Sequence, residues 1–136
     1  MKSPPKIKRE GSETATVRAI LDYLHLRGYL AWRQQSRVVM LPGKGGRDRP
    51  VRMGGVKGMA DIIGCAPVSV SVPVLGPAYP RDRDGRYILG RLLAIEVKSA
   101  EGKPTPEQTS FLAAVVRAGG IAFLARSVKD VQEHGL

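Results

Sequence analysis

The chain is poor in the residue types that build disulfides, zinc sites and catalytic triads. Its 136 residues include one cysteine and two histidines. A single thiol cannot form an internal disulfide and suits a reducing compartment, so a cytoplasmic location is expected. Cys65 ends an apolar run and is interpreted as a core residue. This composition also leaves no cluster for zinc and little material for a Ser-His-Asp triad.

Long apolar segments and acidic residues are also scarce. No apolar run is long enough to span a bilayer, and the basic N-terminus lacks the apolar stretch of a secretory signal. Twelve acidic residues stand against 22 basic ones, which gives a net charge of +10. Such a charge favours a nucleic acid as the partner. The alternatives are a charge that serves solubility and a ribosome-like structural role.

The basic residues fall into two parts of the chain. Residues 1–10 carry four of them around two prolines and are predicted to form a disordered basic arm. Without these four positive charges the chain, Glu10 of the arm included, still has 18 basic residues against 12 acidic ones, a net charge of +6. The rest of the chain is therefore basic too. Residues 11–136 have the length of one domain, and the chain's 43% of hydrophobic residues suffice for one modest core.

Hydrophobic periodicity and turn residues predict an α/β chain. A first helix begins after Ser12 and ends at Gly28, and a capping box from Thr105 to Gln108 opens a second helix. A short third helix is predicted from Ser127. Strands are predicted at 29–33, 59–63, 91–98 and 121–125, with a β-hairpin-like insertion at 66–90. The crossover from 91 to 125 implies a parallel pair, so the expected architecture is a mixed central sheet flanked by helices.

Charged residues interrupt two of the predicted strands. Glu96 and Lys98 close an apolar strand, and because residues two apart share a face of a strand, their side chains point the same way. Asp61 stands in a second short apolar segment. Buried charges are costly unless they are paired or hold a metal. Two carboxylates and a lysine on neighbouring strands therefore predict a site for a hard divalent cation and an anionic substrate.

Residues 42–58 are predicted to form a loop rich in glycine and basic residues. The loop lacks the spacing of a phosphate-binding P-loop. Two interpretations stand equally: a flexible solvated loop, or a mobile basic strap that contacts phosphates. For the second interpretation the candidate nucleic-acid-binding residues are Lys44, Arg47, Arg49, Arg52 and Lys57.

Taken together, these motifs resemble those of the PD-(D/E)XK nuclease superfamily, and within it the stand-alone VRR-NUC domains of phages and bacteria. The segments that carry the resemblance are 12–33, 55–64, 95–98, 102–108 and 119–120. The resemblance implies a restriction-endonuclease-like core and catalytic roles for Glu13, Asp61, Glu96, Lys98 and Gln108. It further implies that Mg²⁺ or Mn²⁺ is held by the carboxylates of Asp61 and Glu96 and the backbone carbonyl of Val97.

The function that the resemblance implies is metal-dependent hydrolysis of DNA phosphodiester bonds in a bacterial or phage-infected cell. Branched DNA, such as a four-way junction, is the expected substrate, and a homodimer is the expected assembly. The alternating valines from Val68 to Val74 are placed either near the dimer contact or over the domain's own core. Two departures from the family are Ala60, where a proline is usual, and the insertion at 66–90. The competing class is a non-catalytic nucleic-acid-binding module that keeps the fold.

Overall fold

The computed structural model describes residues 13–35, 37–53, 55–73 and 76–136, without the side chains of Arg37, Arg52 and Met53. The predicted basic arm at 1–10 and the predicted cap at Ser12 lie outside these residues. In the described part, the helices are α1 (Glu13–Leu26), α2 (Pro106–Arg117) and α3 (Val128–Glu133). The strands are β1 (Leu30–Arg33), β2 (Arg37–Pro42), β3 (Asp48–Met53), β4 (Ile62–Val70), β5 (Tyr87–Val97) and β6 (Ile121–Ala125).

The larger sheet has the strand order β1-β4-β5-β6. β1 and β5 both run antiparallel to β4, whereas β5 and β6 are parallel. Helix α2 makes the crossover between the two parallel strands. The predicted α/β class and mixed sheet are therefore confirmed, as is the parallel pair.

Helices pack on both faces of this sheet because the side chains of β5 alternate between two cores. Leu93, Ile95 and Val97 belong to the larger core, which α1 and α3 complete. Ala94 belongs to a smaller core with Val115 of α2. By the same two-residue period, Glu96 lies on the face that α2 covers.

The prediction of a loop over residues 42–58 is wrong for much of that range. β2 and β3 pair in register from Arg37 opposite Met53 to Pro42 opposite Asp48, as a separate two-stranded antiparallel sheet. At its tip, Gly45 and Gly46 adopt φ values of 79° and 72°, a conformation that glycine tolerates best. The density of glycine and arginine hid the strand in the sequence.

The segment 66–90 prolongs strands of the main sheet. β4 and β5 pair without interruption from Ile62 opposite Ile95 to Val70 opposite Tyr87. Beyond them, the predicted Asp-Gly turn is present, and Asp82 accepts hydrogen bonds from the backbone N–H groups of Asp84 and Arg86 at 3.0 and 2.9 Å. The alternating valines leave the strand after Val70, and Val74 lies outside the described residues.

Across the described ranges, no helix combines the length and apolar character needed to cross a bilayer.

Candidate active site

The charged end of β5 forms the centre of the candidate site. Glu96 is fully buried, with 0% of its surface exposed. Its Oε1 atom lies 2.8 Å from the Nζ atom of Lys98, whose side chain is 15% exposed. The two-residue period of the strand therefore places these two side chains together, as the sequence predicts. The lysine reaches the surface while its partner carboxylate does not.

Asp61 reaches the same place from the residue that precedes β4. Its Oδ2 atom accepts a hydrogen bond of 2.9 Å from the backbone N–H of Val97. The register that sets Ile62 opposite Ile95 brings the start of β4 to the end of β5. The sequence places Asp61 within a strand, whereas the strand begins one residue later. Its side chain nevertheless meets the predicted partners.

Gln108 joins helix α2 to the site and caps that helix at the same time. The capping box is present: Thr105 Oγ1 accepts from the Gln108 N–H at 3.2 Å, and Gln108 Oε1 accepts from the Thr105 N–H at 2.8 Å. The other end of the amide, Nε2, donates to Glu96 Oε1 at 2.5 Å. One side chain therefore both caps the helix and contacts the buried carboxylate.

Glu13 lies at the start of α1 and contacts the segment after β5. Its Oε1 atom accepts a hydrogen bond of 3.0 Å from the backbone N–H of Ser99. Its negative charge is also among those that raise the pKa of Lys98. The helix-borne carboxylate thus borders the lysine and supports the loop that follows it.

The electrostatics of the site are dominated by burial of Glu96. Burial raises the pKa of Glu96 to about 7, the ion pair with Lys98 opposes this, and the nearby Asp61 carboxyl adds to the rise. Burial would by itself lower the pKa of Lys98, but the hydrogen bond to Glu96 and three surrounding carboxylates raise it. The site therefore keeps a charged lysine beside a carboxyl that changes protonation state near neutral pH.

One oxygen of the buried carboxyl lacks a hydrogen-bond partner among the described residues. Glu96 Oε2 is inaccessible to solvent and forms no hydrogen bond in the part of the chain that the structure describes. An unsatisfied buried carboxylate oxygen is costly unless a cation or proton meets it. Asp61 and Glu96 are hard oxygen donors, which fits Mg²⁺ or Mn²⁺. Among the described residues no three or more His, Cys, Asp or Glu side chains cluster as a metal site, so the donor set is a pair of carboxylates.

An open cleft of 330 Å³ leads from the surface to Asp61 and Gln108. Its lining includes Gln34 and Glu107, which the sequence does not single out. At the rim, Glu107 forms an ion pair of 2.6 Å with Lys57, one of the predicted nucleic-acid-binding residues. An acidic residue in the first turn of a helix was the available signal for Glu107, but its partner depends on tertiary structure.

Gly58 sets the spacing between two walls of this cleft. Its φ is 78°, and a Cβ atom there would stand 2.4 Å from the backbone carbonyl carbon of Glu107. The segment that leads to Asp61 therefore approaches the N-terminus of α2 more closely than any residue with a side chain would allow.

The other predicted nucleic-acid-binding residues lie apart from this cleft. Lys44, Arg47 and Arg49 are exposed on the β2–β3 hairpin. The hairpin's substantial contacts are between its own two strands. Arg52 is on β3, and its side chain is outside the described atoms. The predicted candidates thus divide between the hairpin and the cleft rim.

Comparison of the chain with family models, curated proteins and solved structures found no significant match.

Proposed function

We propose that the protein is a divalent-metal-dependent DNA endonuclease with a restriction-endonuclease-like core. The observation that carries the proposal is the closeness of two carboxylates, Asp61 and Glu96. One oxygen of Glu96 is buried and has no hydrogen-bond partner among the described residues. Lys98 and Gln108 both contact the other oxygen of Glu96. Two carboxylates, with the remaining positions left to waters and substrate phosphate, are the usual ligands of Mg²⁺ in phosphoryl chemistry.

Each residue has a separate task in this proposal. Asp61 and Glu96 hold the cation, with the Val97 carbonyl as the further ligand that the family resemblance implies. When bound, Mg²⁺ or Mn²⁺ lowers the pKa of a water and neutralises charge on the scissile phosphate. Lys98 places a positive charge next to the attacked phosphate and orients the attacking water. Gln108 fixes the orientation of Glu96 by donating to Oε1.

Glu13 completes the set without contacting the two metal-binding carboxylates through any hydrogen bond in the described part. Its bond to the Ser99 N–H holds the backbone directly after Lys98. Its charge also favours the protonated form of that lysine. Glu13 is therefore a positioning residue, which keeps Lys98 charged and in place.

DNA is the proposed substrate because the chain carries a net charge of +10 and phosphate contacts dominate the affinity of such proteins. The preference for branched DNA and the homodimer rest on the family resemblance. Two cuts in a symmetric four-way junction need two sites related by a two-fold axis, and this chain offers one. Sedimentation velocity at micromolar concentration tests the dimer. A strict monomer that cuts linear duplex as fast as a junction would contradict both statements.

The competing function is a nucleic-acid-binding module that keeps the fold without catalysis. A module of that kind would have no need for a buried, partly unsatisfied carboxylate beside a lysine, since both groups destabilise a fold unless they are compensated. The described geometry retains the acidic pair and the lysine together. It therefore favours the enzyme over the binding module.

One cleavage panel tests the proposal. The purified protein is incubated with Mg²⁺ or Mn²⁺ and with four-way junction, flap, nicked, single-stranded and linear duplex DNA. We expect cleavage that excess EDTA abolishes and that Asp61→Asn and Glu96→Gln remove while circular dichroism shows an intact fold. Glu101→Gln, at an exposed position of the second Glu-x-Lys triplet, Glu101-Gly102-Lys103, is the matched control and should cleave like the wild type. Full activity in EDTA would refute the metal assignment.

A further inference from the structure

The β2–β3 hairpin (residues 37–53) stands away from both cores. Among the hairpin side chains that the structure describes, none belongs to either core. Its six residue pairs extend over about 20 Å at about 3.3 Å per residue. Isolated two-stranded hairpins are marginally stable in water. A hairpin with so little support from the body of the domain is the element most in need of a partner.

Apolar side chains lie on both faces of the hairpin. Residues directly opposite each other share a face, so Val38, Met40 and Pro50 lie on one side and Val39, Leu41 and Val51 on the other. Val38 is 58% exposed and Met40 55%, and Pro50 is exposed as well. Val39 and Leu41 are each 38% exposed. The face of Val38, Met40 and Pro50 is therefore the more open of the two.

Positive charges predominate on the hairpin as a whole. Arg49 lies opposite Leu41, and the one acidic residue, Asp48, lies on the same face as Met40. Residues 37–53 include five basic residues and one acidic residue, a net charge of +4. The side chains of Lys44, Arg47 and Arg49 are exposed, and within the described ranges none of them forms an ion pair. A two-fold contact between two copies of this face would bring +4 against +4. A phosphate backbone is the complementary partner.

The hairpin begins and ends at the candidate site. The chain enters it from Gln34, whose N–H donates to the backbone carbonyl of Asp61 at 2.7 Å. The chain leaves it into the segment that carries Lys57, Gly58 and Asp61. Gln34 also lines the cleft. Nucleic acid held along the hairpin would therefore continue toward the cleft.

We propose that the β2–β3 hairpin is a DNA-binding arm that lies in a groove of duplex DNA next to the cleavage site. The face formed by Val38, Met40 and Pro50 contacts sugars and base edges, while Lys44, Arg47 and Arg49 contact phosphates. The major groove is about 12 Å wide and admits a two-stranded β-ribbon. The proposal deepens the proposed function, since it names the surface that brings duplex DNA to the site.

Binding measurements on the full chain test the arm without cleavage. Fluorescence anisotropy in EDTA gives the dissociation constant for a linear duplex and a single strand over a series of salt concentrations. The double substitution Val38→Ser/Met40→Ser should weaken duplex binding by roughly tenfold or more, because buried apolar contact is lost, and leave single-strand binding nearly unchanged. Val39→Ser/Leu41→Ser, on the opposite face, is the matched control and should bind duplex within about twofold of wild type.

The charged tip supplies a second variant whose folding is not at risk, because its side chains are exposed. Lys44→Ala/Arg47→Ala/Arg49→Ala should reduce the salt dependence of duplex binding by up to about 2.7, at about 0.9 per phosphate contact. An unchanged salt slope, or equal duplex affinities for the two serine variants, would refute the DNA-binding role of the β2–β3 hairpin.

Three further outcomes separate this inference from neighbouring explanations. If Val38→Ser/Met40→Ser changes the sedimentation coefficient of the free protein, the face is a contact between copies of the chain and the DNA-binding arm is refuted. If the arm variants lose duplex affinity but no preparation cleaves DNA with metal, the arm stands and the nuclease fails. Cleavage with wild-type kinetics in both arm variants would leave the nuclease standing and refute the arm.

Discussion

Glu96→Gln should remove the pH dependence that the buried carboxyl gives to the free energy of unfolding. In the metal-free protein, burial raises the pKa of Glu96 to about 7 from an ordinary value of 4.5. A raised pKa in the folded state means that the folded chain binds this proton more tightly than the unfolded chain. The corresponding stability is complete below pH 4.5 and is lost as the pH rises through about 7. Glutamine cannot ionise and loses nothing over that range.

The magnitude follows from the size of the rise. One pKa unit corresponds to about 1.4 kcal/mol, so moving from 4.5 to about 7 corresponds to about 3 kcal/mol. At pH 4 both proteins carry an uncharged side chain at position 96, and neither has an ion pair to Lys98. Between pH 4 and pH 8 the wild type should therefore lose about 3 kcal/mol more of its free energy of unfolding than the Glu96→Gln variant does.

Urea unfolding in EDTA at one-unit pH steps measures this difference. Glu101→Gln provides a matched control at an exposed position, and its unfolding free energy should follow that of the wild type at every pH. Asp61→Asn should flatten the wild-type profile in part, because the Asp61 charge contributes to the raised pKa of Glu96. Parallel profiles for wild type and Glu96→Gln would refute the reasoning, since they would show that the carboxyl ionises at no cost in the folded protein.

Three further predictions concern the same site. Lys98→Ala should slow single-turnover cleavage by about a hundredfold or more and change DNA affinity little, because 21 basic residues remain; a near-normal rate would make Lys98 structural. Mn²⁺ at a hundredfold excess over its dissociation constant should stabilise the wild type by about 2.7 kcal/mol, measured by thermal unfolding at pH 8. If Mn²⁺ gives no such stabilisation, the two carboxylates do not form a metal site. Thr105→Ala should lower the free energy of unfolding by about 1 kcal/mol through the lost cap and leave the cleavage rate nearly unchanged. Gln108→Ala should lower both the free energy of unfolding and the cleavage rate. Equal cleavage rates for the two variants would show that the contact of Gln108 with Glu96 is not needed.

The convergence on the site could be predicted because each of its parts has a local signal. The two-residue period of a strand is enough to put Glu96 and Lys98 on one face, and the capping box fixes where α2 begins. From the sequence alone, Gln108 could be a helix cap only or a residue of the site as well. The structure shows the cap, which uses the amide oxygen, and a contact with Glu96, which uses the amide nitrogen.

The hairpin could not be predicted because its strands lack the sequence pattern of strands that have one face buried and one exposed. β2 is a continuous apolar run from Val38 to Leu41, and its partner β3 places Pro50 and Val51 side by side between two arginines. Neither strand shows the alternation that a half-buried strand gives. The ion pair between Lys57 and Glu107 was missed for a different reason, since it joins residues 50 positions apart that only the tertiary fold brings together.

The width of the cleft depends on the absence of a β-carbon at Gly58. The backbone of the segment before Asp61 rests against the backbone at Glu107, and any β-carbon at position 58 would have to occupy the place of that neighbouring carbonyl. Even alanine would push the two walls apart and carry Asp61 away from Gln108. Substitutions at Lys57 and Glu107 can therefore change the charge at the rim of the cleft one residue at a time. No substitution at position 58 can widen the cleft by a small step, because even the smallest side chain displaces the backbone.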